Sequence, residues 1–233
     1  MKLNRLLAKH DSTGRTRAHL WINAGLIRVN GQKVTDGGFE VSRFDRVEKE
    51  EALIQPGKRA LYVMVNKPAG YVSATIDAEH PTVVDLIDDP DKAELHVAGR
   101  LDRASTGLVL LTNDGVWSKG ITEPVFKLAK TYRVETVERI MPEAVEAFAK
   151  GFYFHTEDLT TRPAQLVCLG ECEARVTLWE GRYHQIKRMF HRVGNRVASL
   201  HRESVGQLEL PPELAPGSWR WLTDEEVNGL RRA

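Results

Sequence analysis

The sequence predicts an α+β protein in two parts, a small basic N-terminal unit of helices and a hairpin followed by a larger strand-rich domain. Three observations carry this. Beyond residue 60, strand-like segments outnumber helical ones and do not alternate with them regularly, which argues against a doubly wound sheet. The stretch "EKEEALIQPGKRA", residues 48–60, is polar, lacks apolar periodicity and contains Pro56-Gly57, so it separates two textures. Before it, residues 1–33 carry seven basic side chains (Lys2, Arg5, Lys9, Arg15, Arg17, Arg28, Lys33) against Asp11 alone. Domains are therefore expected at 1–48 and 61–233, with 49–60 as a linker.

In the first unit, Leu3, Leu6 and Leu7 predict a short amphipathic helix that stops near Asp11-Ser12-Thr13-Gly14. Ser12 or Thr13 is placed to cap a second helix, with Ala18, Leu20, Trp21 and Ile22 as its apolar contacts and Gly25 at its end. "LIRVNGQKV" reads as a hairpin around Asn30-Gly31, a type I′ turn signal. Arg15 and Arg17 fall in the first turn of the second helix, where free N–H groups and the helix dipole also favour phosphate.

The larger domain follows in order. "LYVMVNKPAGYVSA" predicts strand, turn, strand; "GLVLL" a buried strand; and "NDG", residues 113–115, a turn. "KTYRVETV" alternates as a strand does, and "MPEAVEAFAKG" is a helix with Pro142 at its first position and Gly151 beyond its end. "ARVTLWEG" is a further strand. In "HQIKRMFHRVG", Ile186, Met189, Phe190 and Val193 recur at helical spacing, with Gly194 as the stop. "NRVAS" is strand-like, and Thr223 and Glu226 stand at capping-box spacing in the tail.

Composition narrows the function. The chain has 233 residues, 42% hydrophobic and 28% charged, enough for a sizeable core. It has no apolar run long enough to cross a membrane, and its charged N-terminus lacks a signal-peptide core, so a cytoplasmic location is expected. Cys168 and Cys172 read as reduced packing residues. Metal-hydrolase, Walker-type and dinucleotide glycine patterns are absent, so no metal and no cofactor are expected. The net charge of +1 hides a second basic block: residues 181–202 hold Arg182, Lys187, Arg188, Arg192, Arg196 and Arg202 with no acid. Two such blocks point to two places where a polyanion docks.

One acid stands out. In "HVAGRLDRASTGLVLLTNDG", Asp102 lies between Arg100 and Arg103 just before the apolar run. Alone it reads as a structural ion pair at a strand start. Three further segments bear on it: Lys187 and Arg188 on the helix of "EGRYHQIKRMF", Tyr132 in "KTYRV", and Leu200 in "SLHRESVG".

Residues Arg15, Ala18, Ile22, Gly25, Val29, Asn30 and Gly31 resemble the small RNA-binding domain first seen in the ribosomal protein called S-four, with Gly14 where that module usually has Ser. "AGRLDRASTGLVLLTNDG", "NKPAGYVS", "KTYRV", "EGRYHQIKRMF" and "LHRESVG", in this order over nearly all of residues 61–210, resemble the RsuA type of pseudouridine synthase. The resemblance implies a central, mainly antiparallel mixed sheet flanked by helices. It also implies isomerisation of uridine to pseudouridine in RNA, without cofactor because the reaction has no redox or hydrolytic step. Asp102 would be the essential carboxylate, acting as nucleophile or as the base that takes the C2′ proton.

A carboxylate in a pocket that excludes water needs a positive partner to stay ionised. The resemblance gives that place to Lys187, where the wider superfamily usually has Arg, with Arg188 as the alternative. Tyr132 would stack on the turning base and Leu200 close the apolar side. Arg100, Arg103, Lys67, Arg182, Arg188 and Arg192 would meet phosphates, as would Arg15, Arg17, Arg28 and Lys33 in the first unit. His184 and His201 read as orienting or phosphate-side residues.

"EHPTVVDLID" and "RVGNRVASLHRESVG" look closer to the enzyme of small-subunit rRNA, so the expected partner is 16S rRNA, naked or in a partly assembled subunit, with the enzyme a monomer. Three alternatives stay open: a synthase of 23S rRNA, a non-catalytic assembly factor that binds rRNA, and a glycosidase using Asp114 as a second acid.

Overall fold

The apolar positions of the first thirty residues go where their spacing directs them. In the computed structural model, which describes residues 1–10, 13–123 and 128–231, helix α1 (Leu3–Lys9) buries Leu3 and Leu7. Helix α2 (Gly14–Asn23) buries Ala18 and Ile22, while Leu20, expected as an apolar contact, is exposed. Both helices share one cluster with Ile27, Val29 and Val47 of a sheet formed by β1 (Ile27–Val29), β2 (Gln32–Lys33), β3 (Val47–Lys49) and β4 (Ala52–Gln55), in the order β2-β1-β3-β4.

The local signals act as their chemistry requires. Gly25 takes a φ of +68°; its N–H donates to Ile22 O and that of Leu26 to Trp21 O, closing the helix in a Schellman motif. Asn30 and Gly31, with φ of +50° and +80°, turn the hairpin. Thr13 makes no side-chain cap bond, and Ser12 lies outside the described residues.

The linker expectation needs correcting. Residues 52–55 form β4, paired antiparallel to β3, and the division between the two compact units falls after Ala60. The turn into β4 puts Glu50 at φ +53°, with neither Asn nor Gly to announce it, and no residue of β4 is fully buried. Neither turn chemistry nor alternation marked this strand.

The second unit, Leu61–Ala233, contains β5 (Tyr62–Lys67), β6 (His96–Val97), β7 (Thr106–Thr112), α3 (Gly115–Thr122), β8 (Lys130–Thr136) and α4 (Glu143–Lys150). There follow β9 (Tyr153–Phe154), β10 (Leu159–Thr160), β11 (Gln165–Cys168), β12 (Glu173–Leu178) and α5 (Gln185–Arg192). The chain closes with β13 (Val197–Val205), β14 (Leu208–Glu209), β15 (Trp219–Trp221) and α6 (Asp224–Arg231). A mixed sheet runs β11-β12-β8-β13-β7-β5-β15, with β14 on β13 and β6 on β7. Among the described residues its one parallel pairing is β13 with β7; β9 and β10 form a separate pair.

The run "GLVLL" is apolar on both faces because both are covered. Val109 and Leu111 join one cluster with Val63, Val65, Phe148 and Phe190. Leu108 and Leu110 join the other with Met64, Trp117, Val227 and Leu230. Gly107, at φ +102°, lets β7 approach β13: a Cβ there would lie 2.4 Å from the carbonyl oxygen of Arg202.

Three smaller readings change. "NDG" is a helix start, not a turn: Asp114 Oδ1 accepts from the N–H groups of Val116 (3.0 Å) and Trp117 (3.2 Å), a cap worth about 1 kcal/mol. The second strand expected in "GYVSA" reduces to a bridge between Val72 and Thr82. Cys168 and Cys172, taken as packing residues, are both exposed. The capping box forms as read, the Thr223 N–H donating to Glu226 Oε2 (2.9 Å) and the Glu226 N–H to Thr223 Oγ1 (3.2 Å).

Candidate active site

The loop between β6 and β7 carries Asp102, and three side chains that sequence reasoning missed or misread hold it. Ser73 Oγ donates to Leu101 O (2.8 Å) and accepts from Leu101 N–H (3.0 Å), pinning the backbone next to Asp102. Buried Arg202, reaching across from β13, donates to the carbonyls of Leu108 (2.7 Å), Gly99 (2.9 Å) and Arg100 (3.4 Å). Lys67, expected at phosphate, is fully buried; its ammonium donates to the carbonyls of Pro68 (3.0 Å), Arg103 (3.1 Å) and Ser105 (2.6 Å). Carbonyl groups that loop formation would leave unpaired are thereby satisfied. Burial pushes the Lys67 ammonium down to about 8, with the Asp102 charge opposing the shift and that of Arg202 adding to it.

Helix α5 brings the counter-charge. Lys187 Nζ lies 2.8 Å from Asp102 Oδ2, and His184 Nε2 lies 3.3 Å from Oδ1. His184 precedes the helix in a left-handed backbone conformation, φ +49°. The turn before it is organised by Glu180, a buried acid that accepts from Gln185 Nε2 (2.7 Å), Arg162 N–H (2.9 Å) and Arg182 Nε (3.1 Å).

Tyr132, 7% exposed, sits on β8 opposite Arg202 in register, and Leu200 lies on the neighbouring β13. Asp102, Tyr132, Lys187 and Leu200 thus line one cleft of about 730 Å3, with Arg100, Arg103 and Arg182 on its walls. The Asp102 side chain is 30% exposed, so the fully water-free pocket of the sequence reading is not present; the acid is half-buried. Lys130 also lines the cleft, and burial, reinforced by the charge of Arg202, brings its ammonium down to about 8.

The expected RNA contacts divide. Arg100 and Arg103 are exposed, and among the described residues neither pairs with Asp102. Arg188, the alternative partner for that acid, instead clamps Glu157 at 2.6 and 2.7 Å and lies 3.6 Å over the Phe154 ring. Arg192 is exposed and donates once, to Tyr153 O. Arg15, Arg17, Arg28 and Lys33 are exposed on the first unit, Arg28 donating to Gly31 O. His201 faces Thr106 at 2.8 Å, and burial lowers its pKa. Asp114 is spent on the α3 cap and on the Tyr62 hydroxyl (2.8 Å). The seven residues of β7 also part it from Asp102, roughly 20 Å of strand. A paired-carboxylate glycosidase, which needs its acids within about 10 Å, does not fit.

Nothing in hydropathy patterning marks Ser73, Glu180 or Arg202, since buried polar groups break the pattern that finds a core. His184, read from the sequence as an orienting or phosphate-side residue, lies against the acid itself, 3.3 Å from Asp102 Oδ1.

Residues 61–192 match the RNA pseudouridylate synthase family and residues 11–47 match the S4 domain. Among curated relatives, the ribosomal small subunit pseudouridine synthase A of Pseudomonas aeruginosa is 51% identical over 97% of this chain and 99% of its own length. The protein of the same name from Escherichia coli (strain K12) is 41% identical over 97% of this chain and 98% of its own. A crystal structure described as a pseudouridylate synthase superposes with a TM-score of 0.72 at 36% identity, covering 99% of both chains.

Proposed function

Because this chain belongs to the RNA pseudouridylate synthase family, we propose that it isomerises a uridine of small-subunit (16S) ribosomal RNA with Asp102 as the essential carboxylate. The observation that carries the reading is the Asp102–Lys187 pair at 2.8 Å in a cleft walled by Tyr132 and Leu200.

The chemistry asks little else of the protein. The N1–C1′ bond breaks, the base turns, C5 bonds to C1′, the C5 proton leaves and N1 gains one. Asp102 either adds to the nucleoside or removes the C2′ proton, and both routes need it ionised. Lys187 supplies the opposing charge at one oxygen and His184 a ring nitrogen near the other. Tyr132 gives the turning base an aromatic face, and Leu200 limits the pocket on its apolar side.

A stacked uridine cannot reach this acid, so it must leave its helix at a cost of a few kcal/mol. The exposed guanidinium groups of Arg100, Arg103 and Arg192, with Arg15, Arg17, Arg28 and Lys33 of the S4 unit, are suited to supply that cost through phosphate contacts. We read the enzyme as a monomer. A cytoplasmic site of action goes with the proposed substrate, whether naked RNA or a partly assembled small subunit; no described helix is long and apolar enough to cross a membrane.

Pseudouridine mapping of ribosomal RNA from cells lacking this chain tests the reading. Loss of one modified position in the small-subunit RNA, restored by the wild-type chain, is expected. Loss in the large-subunit RNA would transfer the substrate, and an unchanged map would leave a binding protein only.

A further inference from the structure

At the mouth of the cleft, Tyr183 is 75% exposed yet not loose: its ring stacks on that of His184, centroids 3.8 Å apart and planes 19° apart. A large aromatic ring held flat in the open has a free face, and an exposed ring of this size wants a reason. His184 beneath it is the residue whose Nε2 lies 3.3 Å from Asp102. The Tyr183 ring therefore stands one ring away from the Asp102 carboxylate.

A second cavity, about 410 Å3, lies along α5 and shares His184 and Lys187 with the cleft. Its other walls are rich in N–H donors: His155, His191, Arg188 and Arg192, with the Thr156 hydroxyl. The Arg188 charge is already met by Glu157. Arg192 makes one described bond, to a carbonyl, and His155 and His191 are exposed. Among the described residues no acid lines this cavity. Aromatic faces beside a basic groove are how proteins hold single-stranded nucleic acid.

We propose that the Tyr183–His184 stack is a shelf for the base next to the target uridine, and that the cavity along α5 takes that neighbour's sugar and phosphate. This rests on the synthase reading above and adds to it a subsite for the unpaired strand. Once the uridine has swung into the cleft, its neighbour has lost a stacking partner, and the Tyr183 ring replaces it. The shelf reads the presence of a base rather than its identity, since every base has a π face.

The test compares Tyr183→Ala, Tyr183→Phe and wild type in steady-state pseudouridine formation on small-subunit ribosomal RNA. Tyr183 is exposed and its replacement opens no core. The expected result is a KM raised about tenfold in the Ala variant with kcat unchanged, and wild-type KM in the Phe variant, which keeps the stacking face. The shelf is overturned if the Ala variant keeps the wild-type KM, if Phe is impaired as much as Ala, or if kcat falls at constant KM. A wild-type chain that forms no pseudouridine would instead sink the activity on which the proposal rests.

Discussion

Asp102 has its two oxygens addressed separately, one by the Lys187 ammonium and one by the His184 imidazole, while the arginines flanking it in sequence do not pair with it. With each partner about one-third exposed, the Asp102–Lys187 ion pair contributes at most about 1 kcal/mol to folding. Its importance is therefore to the orientation of the acid and the charge that faces it. Lys187→Met should cut the rate of pseudouridine formation about a hundredfold while moving the thermal midpoint by no more than about 4 °C. Lys187→Arg supplies the same charge and should retain most of the activity. Single-turnover assays beside calorimetry make the comparison; a fully active Met variant would remove the ammonium from the mechanism.

At the scale of elements, the Asp102 loop is a short connection tied to β5 through Lys67 and to β13 through Arg202. The buried ammonium of Lys67 has a signature in stability. Its pKa falls from an ordinary 10.5 to about 8 on folding, so between those values the unfolded chain binds more protons and stability rises with pH. Lys130, lowered to about 8 as well, acts in the same window. Urea midpoints should climb from pH 8 to 10 in the wild type and climb less in Lys67→Met; equal slopes would mean that Lys67 titrates as it does in water. The strands and helices that build this frame were readable: β7 and β8 from apolar pattern and alternation, α5 from the spacing of Ile186, Met189 and Phe190. So was the meeting of Asp102, Tyr132, Lys187 and Leu200 in one cleft, each inside a motif of the resemblance. The ties were not. Lys67 and Arg202 are residue types that normally lie at the surface, and a sequence does not show which of its cations a fold will bury against carbonyls. Strand β4 escaped for the opposite reason, since none of it is fully buried.

Across the whole molecule, the two basic blocks of the sequence fall in separate units and meet different fates. The cations of the first, Arg15, Arg17, Arg28 and Lys33 among them, stay exposed. The second block is largely used by the protein itself, with Arg182 on Glu180, Lys187 on Asp102, Arg188 on Glu157 and Arg202 on backbone carbonyls. Arg192 and Arg196 remain exposed there, joined by Arg100 and Arg103 at the cleft. Charge counted along a sequence overstates what reaches a phosphate. Under the proposed function, holding RNA falls to many cations in both units, while isomerising uridine depends on the single carboxylate of Asp102. Tritium placed at C5 of uridine in small-subunit ribosomal RNA tests this separation with Asp102→Asn. No tritium release by that variant is expected, while its affinity for the RNA stays that of the wild type; release at the wild-type rate would show that Asp102 is not the essential acid.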